Sequence, residues 1–470
     1  MEFVLYQFDM AAAAWRRTPD EVTLEACRDS SELSLVRRSL KFLAERTAMR
    51  SSAPEFAPAG PPALFRYVEE TLFASRMLAD LYLASDKAYY ILPGEVELEL
   101  DRADTLIDGV PWPLPFRLIH DEAYNGFDLA FSARVAKDRA NRRKYFPDDT
   151  MNLDFQRQAK VLDAAFEMSF GYPFSSFLHV IAVINEQAKP DPGSYPVMFF
   201  RKEGLVEDVV RNASIGGEDV ARRILAGFTL TRYQMTEERR AIYHPNQEHR
   251  AFRRGYFEFP HSSGVHLFWS GALASEGLDH LVNGVCFKKL PEEWLTPETS
   301  AGLDKLSNNA GTWFEREVTA KLRSLGMRGE GRSGRVIGGG EKIDIPAEVG
   351  QLDFLGYSEK DSALVVVESK MVEVGFEARF FRDEISQFAT GKKSYAGQLR
   401  KKLDWVAANR GALGRASGAG AGALRVVSAL VTLYPTYAAC KITDIPCVSL
   451  VELMEDYSVT GSWPYSVGIR

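Results

Sequence analysis

The sequence predicts an α+β protein of more than one domain: a helix-rich N-terminal region over residues 1–295, then a C-terminal α/β domain over 296–470 with element order αβββαβ. Three observations carry that expectation. At 470 residues the chain exceeds what a single hydrophobic core usually holds. Apolar residues recur at helical spacing through much of the first part, most densely over 153–230. After residue 349 the pattern changes to β-branched runs of period two, led by QLDFLGYSEKDSALVVVESK at 351–370. A hydrophobic share of 46% and a charged share of 26% are those of an ordinary globular protein. The net charge of -7 excludes a generally basic nucleic-acid coat, so phosphates would have to be met by local patches.

The N-terminal region reads as follows. Leu35, Leu40 and Leu43 lie near helical spacing and mark a helical face. The Pro- and Ala-rich stretch SSAPEFAPAGPPA, 51–63, reads as a linker and sub-boundary. A helix is expected over 64–85, and alternating strands over 89–100. Basic residues concentrate in RVAKDRANRRK, 134–144, which is either a phosphate-contacting surface or, more commonly for such runs, a solvated helix face. His244, His249, His261, His266 and His280 cluster without a zinc spacing and are read as structural or surface residues. The polar stretch from Lys289, KLPEEWLTPETSAGLDKLSN, is taken as the domain junction. Four scattered cysteines without a CxxC pair fit a reducing cytosol. The opening MEFVLYQFDM lacks the basic start of a secretory signal, and no apolar run approaches a bilayer span; the expectation is a cytoplasmic protein with no membrane partner.

In the C-terminal region a helix is expected over 312–326, where Phe314, Val318, Leu322 and Leu325 form a stripe that Gly326 closes. Strands follow at 335–345, 349–357 and 363–370, a helix over 383–409, and strands at 424–433 and 445–451. In the 351–370 hairpin, the side-chain period puts Val366, Glu368 and Lys370 on one face. If the turn SEKDS is symmetric, Tyr357 pairs with Leu364 and Asp353 falls opposite Glu368. Like charges at paired positions repel, so a positive group should stand between them. A hard cation held by carboxylate oxygens is the economical candidate, with Lys370 adding charge beside it.

Asp353 in a GQLDFLGY strand, a short turn and an apolar strand ending Glu368-Ser369-Lys370 together resemble the active-site signature of the PD-(D/E)XK, or restriction-endonuclease-like, nuclease superfamily. The resemblance covers the last third of the chain, and Gly350-Gln351 stands where the proline of the name would be. It implies that Asp353 and Glu368 bind Mg²⁺, with Mn²⁺ as a substitute, while Lys370 holds the attacking water or the transition-state charge. GTWFEREV is similar to the family's first helix and offers Glu315 as a further metal ligand, with Glu317 as the alternative. YAGQLRKKLDW offers Gln398 as the glutamine that many relatives direct at the site. Lys392, Lys393, Arg400, Lys401 and Lys402 would then form a basic face for nucleic-acid backbone, DNA favoured over RNA. The implied function is a Mg²⁺-dependent endonuclease, of a kind used in bacterial defence against foreign DNA. Residues 1–295 would select the target, sense a trigger or partner protein, or build a homo-oligomer that places two sites together. A catalytically silent nucleic-acid-binding or scaffold protein is the alternative. No GxxxxGK[ST] occurs, so the chain carries no P-loop motor.

Overall fold

The computed structural model describes residues 1–17, 24–50, 61–103, 106–107, 110–111, 114–146, 155–188, 197–212, 217–235, 247–373, 378–419 and 424–465. Helices dominate the first half. Helices α1 (Glu2–Arg17), α2 (Leu24–Met49) and α3 (Pro61–Asp86) come first; α3 starts inside the expected 51–63 linker, whose residues 51–60 lie outside the described residues. The expected strands at 89–100 are instead a π turn at Lys87–Ile91 and a late strand β1 (Leu98–Arg102). Pro93 and Gly94 separate the two, because proline cannot donate to a ladder and Gly94 adopts a left-handed φ of 74°. Two short strands, β2 (Leu106–Ile107) and β3 (Val110–Pro111), precede β4 (Phe116–His120), which pairs antiparallel with β1. Helix α4 (Glu122–Tyr145) then carries the basic run.

Helices α5 (Phe155–Phe170), α6 (Phe174–Gln187), α7 (Lys202–Asn212), α8 (Glu218–Phe228) and α9 (Gly271–Gly284) surround a four-stranded sheet. Its strands are β5 (Val197–Arg201), β6 (Thr229–Leu230), β7 (Tyr256–His261) and β8 (Gly264–Ser270), in the order β5-β8-β7-β6. Phe166, Phe177, Phe228, Tyr256, Trp269 and Trp294 fill the core of this unit. Trp294 belongs to the stretch expected as a polar junction. Its ring is fully buried and its indole N–H donates to Arg223 O at 2.9 Å, so the chain here is part of a core and not a tether.

Helix α10 (Pro297–Ser324) starts fifteen residues before the expected 312, because Thr296 and Thr299 cap it reciprocally and Pro297 occupies its first turn. Its first half puts Leu303, Leu306 and Ala310 into the aromatic core just described. Its second half puts Phe314, Val318 and Leu322 against the C-terminal sheet, each such burial stabilising by roughly 1.5–3 kcal/mol. The expected boundary at 295 is thus spanned by one continuous packing unit.

The C-terminal sheet has five strands in the order β15-β14-β13-β12-β9: β9 (Arg328–Arg332), β12 (Leu352–Ser358), β13 (Ala363–Lys370), β14 (Arg425–Thr432) and β15 (Cys447–Ser449). Strand β12 pairs antiparallel with both β9 and β13, while β13, β14 and β15 are parallel. The strand expected at 335–345 is not in this sheet. It forms a separate hairpin, β10 (Arg335–Gly338) with β11 (Glu341–Asp344), and the edge position belongs to RGEGR. Glycine explains the substitution: a Cβ on Gly329 would stand 2.4 Å from Gly356 Cα, so only two facing glycines let β9 approach β12.

The helix expected over 383–409 is broken into α11 (Ala378–Ile385), a π turn at Ser386–Thr390 and α12 (Tyr395–Ala408), which restarts where Ser394 Oγ accepts from Gly397 N; α13 (Arg410–Ala416) follows. Helix α14 (Leu450–Thr460) leaves β15 directly through a Ser449–Glu452 capping box, which shortens the strand expected to 451. One face of the sheet packs on α10 and α14, the other on α11, α12 and α13. Tyr82, Leu83, Ile91, Leu92 and Tyr124 from the N-terminal part join that second face. The molecule is a mixed α/β protein whose helices lie mainly in its N-terminal part.

Candidate functional site

The turn that closes β12 onto β13 sets the site. Ser358 Oγ donates to Asp361 Oδ2 at 2.5 Å and accepts from Asp361 N, fixing the SEKDS turn. Tyr357 pairs with Leu364 and Phe354 with Val367, and one further step of that register puts Asp353 opposite Glu368. Both carboxylates are buried, Asp353 to 8% exposure and Glu368 to 2%. They lie on the α12 side, in phase with Leu364 and Val366.

Two lysines serve this pair unequally. Lys370 Nζ lies 2.7 Å from Glu368 Oε1 and 3.8 Å from Asp353 Oδ2. Lys402, from α12, is bonded to the other Glu368 oxygen, so both lobes of that carboxylate face an ammonium. Asp353 Oδ2 accepts from Ser369 N at 2.9 Å and from Ser369 Oγ at 3.2 Å, which leaves Oδ1 without a donor among the described residues. Burial, and then the Glu368 charge, raise the Asp353 pKa above the ordinary carboxylate value. Burial opposes the charge on Lys370, but Glu368 and Asp353 outweigh it and raise its pKa. The Lys370 ammonium also lies 5.1 Å from the centroid of the Tyr395 ring.

Glu315 approaches from α10. Its Oε2 accepts from Gln351 Nε2 at 3.3 Å, and burial followed by the Asp353 charge raises its pKa, so it shares the electrostatic field of the hairpin acids. Among the described residues no three His, Cys, Asp or Glu side chains converge as a metal-binding group. Asp353 and Glu368 do fit a hard cation in kind, being buried oxygen donors with one oxygen left open, and no sulfur or imidazole is recorded as bonded to them.

The remaining expected site residues separate. Lys402 is not part of an exposed basic face: its side chain is 6% exposed and tied to Glu368. Arg400 is exposed but engaged, its Nε and Nη2 bonded to Asp444 at 2.6 and 2.7 Å. Gln398 turns its amide back to Lys393 O at 2.7 Å, and among the described residues no hydrogen bond joins it to the carboxylates. Lys392, Lys393 and Lys401 are exposed and form no ion pair among the described residues. The site residue that was missed in its role is Lys402. The signal was present: Leu399, Lys402, Leu403 and Val406 follow i, i+3, i+4, i+7 spacing, which places the lysine on the buried stripe of its helix.

Much of the basic run of α4 is engaged by acids rather than simply solvated. Arg134 grips Glu452 at 2.6 and 2.9 Å, Lys137 lies 3.0 Å from Asp456, and Lys144 lies 2.6 Å from Glu455, all acids of α14. Arg142, buried, is bonded to Asp138 and donates to Leu433 O at 2.8 Å. Of the histidines, His261 and His266 come together, ring centroids 4.9 Å apart and both beside Ser263 Oγ, and the other described ones stand apart. His249 lies 3.0 Å from Glu292, His280 lies 3.6 Å from Glu276, and His266 stacks on Phe199, while His244 lies outside the described residues. No helix among the described residues is long and apolar enough to cross a membrane. Comparison of the chain with protein-family models, with curated proteins and with solved structures gives no match.

Proposed function

We propose that this chain is a metal-dependent nuclease that hydrolyses phosphodiester bonds at the Asp353–Glu368–Lys370 cluster, with DNA the favoured substrate. The observation that carries the reading is the hairpin itself: two buried carboxylates opposed across paired strands, Lys370 within reach of both, and Asp353 Oδ1 open. Desolvation and like-charge repulsion both act against burying two opposed acids, and both lysines beside them favour Glu368, leaving Asp353 with Lys370 alone at 3.8 Å. The placement of this hairpin in a five-stranded mixed sheet between helical layers supports kinship with the PD-(D/E)XK nucleases.

Asp353 and Glu368 would hold Mg²⁺, or Mn²⁺ in its place, and a cation so bound neutralises the scissile phosphate and lowers the pKa of a bound water. Lys370 donates to the developing negative charge of the in-line transition state and keeps its own proton, since its neighbours raise its pKa. Glu315 adds negative potential from the α10 side. Lys402 holds Glu368 in place of a cation and must yield when one binds. The exposed Lys392, Lys393 and Lys401 can meet phosphates beyond the scissile one.

The double capture of Glu368 by Lys370 and Lys402 favours a second reading, a silent binding module in which the cluster is a closed ion-pair network. Incubating the full chain with supercoiled plasmid and with RNA, each with Mg²⁺ and with EDTA, separates the two. Cleavage in Mg²⁺ that EDTA abolishes supports the nuclease. Binding of nucleic acid with no cleavage in either Mg²⁺ or Mn²⁺ supports the silent module.

A further inference from the structure

A cavity of about 220 Å³ opens between residues 248–254 and 281–295, away from the carboxylate pair, and its two walls differ in chemistry. Leu281, Leu290, Pro291 and Leu295 form an apolar wall. Arg253, Arg254, Lys288 and Lys289 line the rest, with Glu248 the single acid among the lining residues. Arg254 is a fixed part of this wall, its guanidinium bonded to both oxygens of Glu293 at 2.8 Å.

Arg253 and Lys289 are placed differently. They share one carboxylate, Glu373, which Lys289 contacts closely and Arg253 only at 3.4 Å. Burial lowers the pKa of both, against the pull of Glu373, so the acids around them do not fully offset the cost of desolvating two cations. Lys288 reaches the cavity from a left-handed backbone with φ of 61°, a conformation uncommon for a residue with a side chain. That turn lets two consecutive lysines line the same space, although the Lys288 ammonium is held by Asp304 at 2.6 Å and leaves Lys289 as the lysine that faces a ligand.

We propose that this cavity binds a small phosphate monoester with an apolar body, of mononucleotide size. The apolar wall takes the body, and Arg253 and Lys289 take the phosphate, whose oxygens match a guanidinium fork and an ammonium. The volume falls below the roughly 300–1,000 Å³ of ordinary ligand sites, which limits the occupant to one small phosphate ester and rules out an oligonucleotide. The phosphate competes with Glu373 for its two cations. Glu373 is the third residue after Lys370, in the segment that leaves β13, so a bound phosphate releases that segment from the N-terminal part. This last consequence rests on the nuclease reading; the binding itself does not.

The test is calorimetric titration of the full chain with AMP, with inorganic phosphate and with adenosine, in the absence of metal and nucleic acid. AMP is expected to bind more tightly than phosphate, and adenosine not at all. Lys289→Gln should weaken AMP about tenfold, the loss of one charge-assisted contact. Glu373→Gln should tighten AMP several-fold by removing the competing carboxylate. Melting curves verify that each variant is folded, and Arg253→Lys, which keeps the charge but loses the guanidinium fork, serves as a second weakening variant if Lys289→Gln is not. No heat with AMP or phosphate, or equal affinity in the wild type, Lys289→Gln and Glu373→Gln, overturns the proposal. Absence of nuclease activity in the full chain leaves the outcome of this titration unaffected.

Discussion

Two clusters of acids and bases in this molecule are built from the same residue types and lead to opposite conclusions. Three ion pairs join α4 to α14, Arg134 with Glu452, Lys137 with Asp456 and Lys144 with Glu455, and within α4 the buried Arg142 pairs with Asp138. At the open end of the β12–β13 hairpin two lysines crowd Glu368, while Asp353 has Lys370 alone at 3.8 Å and one oxygen without a donor. Even pairing is what a docking surface needs, because leaving either partner unpaired wastes desolvation. Uneven pairing leaves capacity for something positive. Charge composition is the same in both, so the difference that separates a clamp from a candidate site is who each carboxylate faces.

The largest effect should come from breaking the clamp where it is buried. Arg142→Ala removes the partner of Asp138 and the donor to Leu433 O, and should destabilise the protein by roughly 3–5 kcal/mol in urea unfolding, as for other buried pairs that lose one member. Lys401→Ala, on the exposed face of α12, should change stability by less than about 0.5 kcal/mol. Comparable losses for the two would erase the distinction between a docked and a free basic helix.

Next comes a carboxylate that belongs to neither cluster. Glu384 is bonded to neutral donors, Thr436 Oγ1 at 2.6 Å and Tyr437 N at 3.2 Å, and burial pushes its pKa up to about 7 despite those bonds. The folded state therefore holds a proton that the unfolded state, with the usual value of 4.5, has already lost. Stability should fall as pH rises from the unfolded value through about 7, by on the order of 3 kcal/mol in total. Glu384→Gln should flatten that part of the profile and melt higher than the wild type above pH 7. An unchanged slope would show that some other group sets it.

A smaller effect is expected at Lys402. In the Lys402→Met variant Glu368 keeps only Lys370, so the metal-free protein should lose about 1–3 kcal/mol, less than for Arg142→Ala. Mg²⁺ should then raise its melting temperature by more than it raises that of the wild type, since the cation no longer has an ammonium to displace. Equal shifts would place Lys402 outside the path of the metal.

Much of the hairpin was legible because a turn of fixed length counts residues: once Tyr357 faces Leu364, Asp353 must come opposite Glu368. The turn is local, and local chemistry fixes it. What could not be read was decided between distant segments. RGEGR has poor strand propensity and joins the sheet only because Gly329 meets Gly356, whereas the better-looking 335–345 stretch pairs with itself. The run 134–144 reads as free charge until the acids of α14, more than three hundred residues later, are set against it. Lys402 lies between these cases. Its helical phase with Leu399, Leu403 and Val406 was visible, but only the position of β13 shows that burial there ends on Glu368. Nor did the sequence around the expected boundary at 295 show that α10 serves one core with Leu303 and Leu306 and another with Phe314 and Val318.

The most direct measurement sets Asp353→Asn beside the wild type, following Mg²⁺-dependent nicking of a supercoiled plasmid and the metal-free melting temperature of each protein. Asparagine keeps an oxygen for the Ser369 donors and removes the charge that burial and Glu368 disfavour. The account predicts a melting temperature equal to or above that of the wild type, with Mg²⁺-dependent nicking lost. Nicking retained by Asp353→Asn at the wild-type rate would contradict it.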